Sequence, residues 1–202
     1  MAGVLLNSEK YRDFGLALTD SYYETYSSSP SGIGPEVFQW IDNRPESLEV
    51  HNILPPPEQE AFYSTSGFWT RSPDYYLRPE MLESLYFAYR VTGDKKYQDM
   101  AWDAFTAITT VCRAGVAYTA VTNVTQPDGG TFYDYMESFW MAETLKYAYL
   151  IFAEEQPVQF KADGRNEFVF NTEAHPLRLV DENNPLAPVD NDNTKFWWQE
   201  EH

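Results

Sequence analysis

Between Ser8 and Tyr26 apolar side chains return every third or fourth position, at Tyr11, Phe14, Leu18, Tyr22 and Tyr26, and this spacing predicts an amphipathic helix. The stretch Ser27 to Pro35 cannot extend it, because proline removes backbone donors while glycine and serine favour turns. A long segment without regular periodicity then runs to Tyr76. It carries Val37, Phe38, Trp40, Phe62, Tyr63, Phe68 and Trp69, too many large apolar groups for a solvent linker, and loops of this length in compact domains are usually functional. Pro79 suits a first helical turn, and Leu82, Leu85, Tyr86 and Tyr89 form the next helical stripe. Gly93 ends that helix and Asp94 starts another, with Tyr97, Ala101, Ala104, Phe105 and Ile108 on one face. Two helices joined so tightly make an αα-hairpin.

After Cys112 the chain is rich in Thr, Val and Gly, reads as short strand or loop, and contains a strong turn at Pro127-Asp128-Gly129-Gly130. A last helix is expected from about Asp134 to Ala153, with Met136, Trp140, Tyr147 and Leu150 on its stripe. Position 143 falls on the same stripe and is Glu. The run Glu83 to Tyr89 is echoed by Glu143 to Tyr149, which suggests stacked helical hairpins. Residues 1–180 read as one domain. From Asp181 to His202 there are six acids and one lysine, the composition of a frayed, disordered tail.

Charge narrows the partners. With 31 Asp and Glu against 14 Lys and Arg, the chain of 202 residues has a formal charge of −17, which repels nucleic acid and anionic lipid surfaces. Aromatic residues at 17% mark a packed globular chain rather than a disordered acidic one. The apolar run from Leu145 to Ala153 is broken by Lys146 and is less than half of the roughly 20 residues that a membrane span needs. Val4-Leu5-Leu6 is shorter than the apolar stretch of a signal peptide. The single cysteine, Cys112, allows neither an internal disulfide nor a cysteine metal cluster, and leaves the redox compartment open.

Several groups are candidates for chemistry. Glu143 on an apolar helix face requires a partner, either a structural hydrogen bond or ion pair, or a shared metal or sugar-hydroxyl site. In Arg78-Pro79-Glu80, with Glu83 one turn on, two carboxylates share the N-terminal end of a helix beside an arginine. Complementing the helix dipole explains them structurally; a base held ionised by that dipole is the functional alternative. Asn171-Thr172-Glu173-Ala174-His175-Pro176 offers oxygen ligands of the kind calcium prefers, and also reads as an ordinary capping sequence. His51 and His202 lack companions for a zinc site, and Asn123-Val124-Thr125 is a glycosylation sequon, informative only in a secretory setting. No phosphate loop, nucleophile elbow or Cys/His pair is present. Carboxylates amid aromatic rings are compatible with glycoside hydrolysis, and composition goes no further.

The motifs together go further. Ser31-Gly-Ile-Gly-Pro-Glu36, Tyr76-Leu-Arg-Pro-Glu-Met-Leu-Glu-Ser84, Tyr89-Arg-Val-Thr-Gly-Asp94, Met136-Glu-Ser-Phe-Trp-Met-Ala-Glu-Thr-Leu-Lys-Tyr147 and Phe170-Asn-Thr-Glu-Ala-His-Pro176 resemble, in order, the class I α-1,2-mannosidases of glycoside hydrolase family 47. The resemblance covers about residues 8–180 and corresponds to the C-terminal part of that family's catalytic domain. It implies an all-α fold, an αα-hairpin toroid forming part of an (α/α)7 barrel with short β-hairpins in its loops. It also implies inverting, calcium-dependent hydrolysis of terminal α-1,2-mannose from high-mannose N-glycans, in the lumen of the secretory pathway or outside the cell. By position, Glu80 resembles the general base and Thr172 the direct calcium ligand. Arg78, Glu83, Phe139, Glu143 and Glu173 resemble residues around the cleaved mannose and the ion's water shell, the glutamates at 83, 143 and 173 reaching the ion through water, and Glu36 resembles a further cleft acid.

Departures are equally specific. The family's general acid belongs to an N-terminal half with no counterpart here, and Ser21 stands where a disulfide cysteine is usual, so that bridge cannot form. So few hairpins cannot close a barrel, and apolar faces at the break are expected to be exposed unless a missing half or a partner covers them. A non-catalytic glycan-binding or glycoprotein quality-control module, and an inactive fragment, are the alternatives to an enzyme.

Overall fold

The computed structural model describes residues 1–42 and 54–179. His51, His202, the acidic tail and residues 43–53 of the long segment lie outside the described residues. The first helical turn, α1 (Ala2–Leu5), is followed by α2 (Glu9–Ser27), whose N-terminus is capped by Ser8 Oγ accepting the Tyr11 amide. The irregular segment is more ordered than its lack of periodicity suggests. It holds β1 (Val37–Gln39), a 3-10 turn at Pro57–Gln59, α3 (Glu60–Ser66) and β2 (Trp69–Ser72), with β1 and β2 antiparallel. These strands are distant in sequence, so no hairpin turn marks their pairing.

The predicted hairpin is present as α4 (Glu80–Thr92) and α5 (Lys96–Val111). Gly93, at φ +69°, closes α4 through its amide to the Tyr89 carbonyl, and Asp94 Oδ1 accepts the Lys96 amide to open α5. Leu82, Leu85 and Tyr86 of α4 and Tyr97, Ala101, Ala104 and Ile108 of α5 are buried against each other and against α2. Cys112, the sole cysteine, lies wholly in this core, and burial pushes its thiol up to about 12.

Beyond α5 the short hairpin β3 (Arg113–Ala114) and β4 (Ala117–Tyr118) leads into a small ladder. Tyr75 and Val121 exchange two backbone hydrogen bonds of 3.0 Å, and Val121 bridges Phe132 on its other side. The turn between them needs its glycines, since a Cβ on Gly129 (φ +78°) would meet Val111 Cγ1 at 2.5 Å.

This ladder corrects the last predicted helix. Residues 132–135 are held by the ladder instead of a helix, the Tyr133 amide donating to the Ala120 carbonyl and the Ala120 amide to Tyr135 around a bend at Asp134 (φ +53°), so Asp134 and Met136 are not helical. Helical structure is instead a π-turn over Trp140–Thr144, in which the Leu145 amide reaches back to Trp140, running into α6 (Leu145–Leu150). A final antiparallel pair, β5 (Phe168–Phe170) and β6 (Pro176–Arg178), is linked by the turn Asn171 to His175. The architecture is thus mostly helical with three two-stranded sheets, and the helices close no barrel among the described residues. None of these helices is long and apolar enough to cross a membrane.

Helix α2 departs from expectation in its packing. Tyr26 is buried and Tyr22 half-buried, but Tyr11, Phe14 and Leu18 are 54–63% exposed. The first half of its apolar stripe has no cover, as the reading of an open barrel edge anticipates.

Candidate active site

Helix α4 begins at Pro79, which needs no donor there, and this places Glu80 in its first turn with an exposed side chain. The preceding residues bend sharply. Leu77 has φ +61°, and its carbonyl is held by the buried Thr144 hydroxyl at 2.6 Å, which ties the entrance of α4 to the π-turn. Arg78 then reaches Glu36, its Nε donating to both carboxylate oxygens at 3.0 and 2.9 Å. Glu36 Oε1 also accepts the Tyr76 amide at 3.1 Å, and the guanidinium lies 5.7 Å from the Phe139 ring centre. Partial burial opposes the Arg78 charge, but Glu36, Glu80 and Glu137 outweigh it and raise its pKa, so it stays a cation.

Glu83, one turn along α4, is half-buried and accepts the Tyr147 hydroxyl at 3.2 Å. Burial raises its pKa and the nearby Glu80 charge adds to this, the Tyr147 bond opposing both. Glu143, presented by the π-turn, behaves alike: desolvation and then Glu80, Glu173 and Glu83 push its carboxyl above the ordinary range, with His175 opposing. Four carboxylates from three separated parts of the chain therefore share one electrostatic neighbourhood. The same field extends to α2, where burial, Glu80 and Glu36 push the Tyr22 phenol up to about 12.

The third part of the chain to contribute is the turn between β5 and β6. Asn171 Oδ1 accepts the Glu173 and His175 amides at 3.1 and 2.8 Å, and Ala174 sits at φ +57°. Thr172 and Glu173 are exposed at the tip of this turn. Lys146 clamps the turn to α6, its Nζ donating to the Ala174 carbonyl and lying 4.8 Å from the Phe170 ring centre. Burial lowers the Lys146 pKa.

Seven of the eight singled-out residues thus fall into two adjoining groups, Thr172 being placed only as the exposed neighbour of Glu173 on its turn. Glu36, Arg78 and Phe139 form one; Glu80, Glu83, Glu143 and the turn carrying Thr172 and Glu173 form the other. Residues that support them escaped the sequence reading. Thr144 gave no signal, and Tyr147 looked like core alone, although Lys146 and Tyr147 follow Glu143 at the helical spacing that brings side chains to one side.

Calcium, which the resemblance implies, can be tested against this donor set. The oxygens of Glu83, Glu143, Glu173 and Thr172 are hard ligands, and mutually repelling carboxylates favour a divalent cation over protons at neutral pH. Among the described residues no group of three His, Cys, Asp or Glu side chains is close enough to grip an ion directly. An ion held by these donors would therefore keep much of its water.

Comparison with known proteins identifies the family. The model of glycosyl hydrolase family 47 matches residues 1–179. A probable mannosyl-oligosaccharide α-1,2-mannosidase 1B of Aspergillus clavatus is 45% identical over 184 residues, which cover 89% of this chain and 34% of the relative. A mannosyl-oligosaccharide α-1,2-mannosidase of Coccidioides posadasii is 43% identical over 180 residues, 89% of this chain and 33% of its own length. Among solved structures, the α-1,2-mannosidase from Trichoderma reesei superposes with a TM-score of 0.83 at 58% identity, over 87% of this chain and 36% of the other. The chain spans about a third of the length of the relatives it matches.

Proposed function

Since the chain belongs to glycosyl hydrolase family 47, we propose that it supplies the base side of a calcium-dependent, inverting α-1,2-mannosidase acting on high-mannose N-glycans in the secretory pathway or outside the cell. The observation that carries the reading is the convergence of Glu80, Glu83, Glu143 and Glu173 beside an Arg78–Glu36 pair.

In this reading Glu80 is the base. Its carboxylate lies in the first turn of a helix of 13 residues and is open to water. A water oxygen attacks the anomeric carbon while its proton passes to Glu80, and the bond to the leaving sugar oxygen breaks on the opposite face, giving inversion. That oxygen takes its proton from an acid outside this chain, as the resemblance implies. Arg78, fixed by Glu36, keeps a positive charge beside Glu80, and Phe139 offers an apolar ring to the sugar. Glu83, Glu143, Glu173 and Thr172 are the residues that would hold the cation. Calcium, when bound, would fix sugar hydroxyls by its charge. Glu83 and Glu143 would then stay ionised against the burial that raises their pKa.

The test is binding followed by turnover. The chain should bind methyl α-mannoside only with calcium present, and a chelator should abolish it. In an enzyme completed with the acid-bearing half, Glu80→Gln should cut mannose release by at least about a hundredfold with little change in affinity. Calcium-independent binding, or full activity of that variant, would refute the assignment.

A further inference from the structure

The base-side chemistry leaves one motif unused. Asn123-Val124-Thr125 is the single Asn-x-Ser/Thr sequence in the 202 residues, and its middle residue is not proline. It opens the loop that joins two sides of the small ladder. The Asn123 amide donates to the Gly129 carbonyl at 2.9 Å and the Gln126 amide to the Asn123 carbonyl at 3.1 Å, so the loop is closed at its base. Val124 is wholly buried and anchors it, its amide donating to the Pro73 carbonyl and its own carbonyl accepting the Ser31 amide. Thr125, Gln126, Pro127 and Asp128 are exposed, and Asn123 is half-buried at their edge.

The partners of Asn123 decide which end of its side-chain amide faces the turn. A backbone N–H can only donate, and the Thr125 amide lies 3.0 Å from the side-chain oxygen, with the Thr125 hydroxyl donating to the same oxygen at 2.6 Å. The oxygen is therefore engaged by the turn and the nitrogen is not. Among the described residues Nδ2 has no hydrogen-bond partner. An aspartate would serve this turn equally, because the turn uses the oxygen alone. What the fold leaves idle is the nitrogen, the atom on which the chemistry of the motif depends.

We propose that Asn123 is a glycosylation site, its Nδ2 carrying an N-linked oligosaccharide. In the transfer, Nδ2 attacks the anomeric carbon of an oligosaccharide held on a lipid diphosphate. The N–C bond forms and the bond from that carbon to the phosphate oxygen breaks. The lipid diphosphate leaves with the electron pair, and one amide proton goes to a base of the transferring enzyme. Oδ1 keeps its place in the turn and Val124 its place in the core, so the native fold accepts the sugar on an exposed loop without opening. This inference rests on the secretory placement in the function proposed above.

The experiment translates the full chain behind a secretory leader in the presence of microsomes, which supplies the compartment whatever the native address. The parent should gain mass in one step, and the glycosidase that releases whole N-glycans should reverse it and leave aspartate at position 123, read by mass spectrometry. Asn123→Asp, which keeps the acceptor of the turn, and Thr125→Ala should each abolish the step, whereas Thr125→Ser, which keeps a hydroxyl, should retain part of it. A parent chain without the step, or a step that survives Asn123→Asp, overturns the site alone. The sugar-bearing chain should melt no lower than the enzymatically released one; a lower melting point overturns acceptance of the sugar by the native surface. Fractionation of the cells that make the native chain is the other arm. Finding it in the cytosol, outside protease-resistant vesicles and absent from the medium, overturns the secretory placement and the site with it.

Discussion

Glu143 shows how a single side chain records its surroundings. Its carboxyl, like that of Glu83, has a pKa raised above the ordinary 4.5. The native state therefore holds a proton more tightly than the unfolded chain, and the associated stability is present below about pH 4.5 and lost as pH rises through the raised value. Glu143→Gln removes that loss. In calcium-free buffer the variant should melt on the order of 1–3 °C above the parent at neutral pH and level with it at about pH 3.5, as scanning calorimetry at the two pH values will show. Calcium should reverse the order at neutral pH, because the parent alone keeps the full charge that attracts the ion. A carboxylate on an apolar stripe was visible in the sequence. Which groups repel it was not, since Glu80 and Glu173 come from elements far along the chain, and only the resemblance to a family joined them.

Among the elements, the π-turn governs the site. Trp140–Thr144 presents Glu143 to the cleft while Thr144 ties it to the Leu77 carbonyl at the mouth of α4. Thr144→Val would leave that buried carbonyl unpaired, and urea titration should show a loss of about 1–3 kcal/mol. Sugar affinity should fall further than stability alone accounts for, because Arg78 and Glu80 follow directly on the strained Leu77. The α4–α5 hairpin was legible because its signals are local: a stripe, a closing glycine and a capping aspartate. Neither the π-turn nor the non-helical stretch at 132–135 could be read this way. The apolar period runs on smoothly through Met136 and Trp140, but partners near residue 120 claim the backbone first. The β1–β2 pair was hidden for the same reason.

For the molecule as a whole, one face stands uncovered. Phe14 and Leu18 are 63% and 54% exposed, so Phe14→Gln with Leu18→Gln should alter the stability of this chain by less than about 0.5 kcal/mol, whereas Leu85→Ala in the core should cost about 2–5 kcal/mol. Paired denaturant titrations check both figures. A formal charge of −17 opposes self-association through that face. Sequence periodicity identified α2 correctly but could not tell which part of its stripe finds a neighbour, because spacing reveals an apolar side and not what meets it.

Cys112 turns the core into its own reporter. A lone thiol sealed at the end of α5, with its ionisation pushed to about 12, is closed to alkylating reagents while the native packing lasts. Every molecule that takes up a maleimide has therefore opened its centre, and the labelling rate counts those excursions one chain at a time, with no second cysteine to confuse the tally.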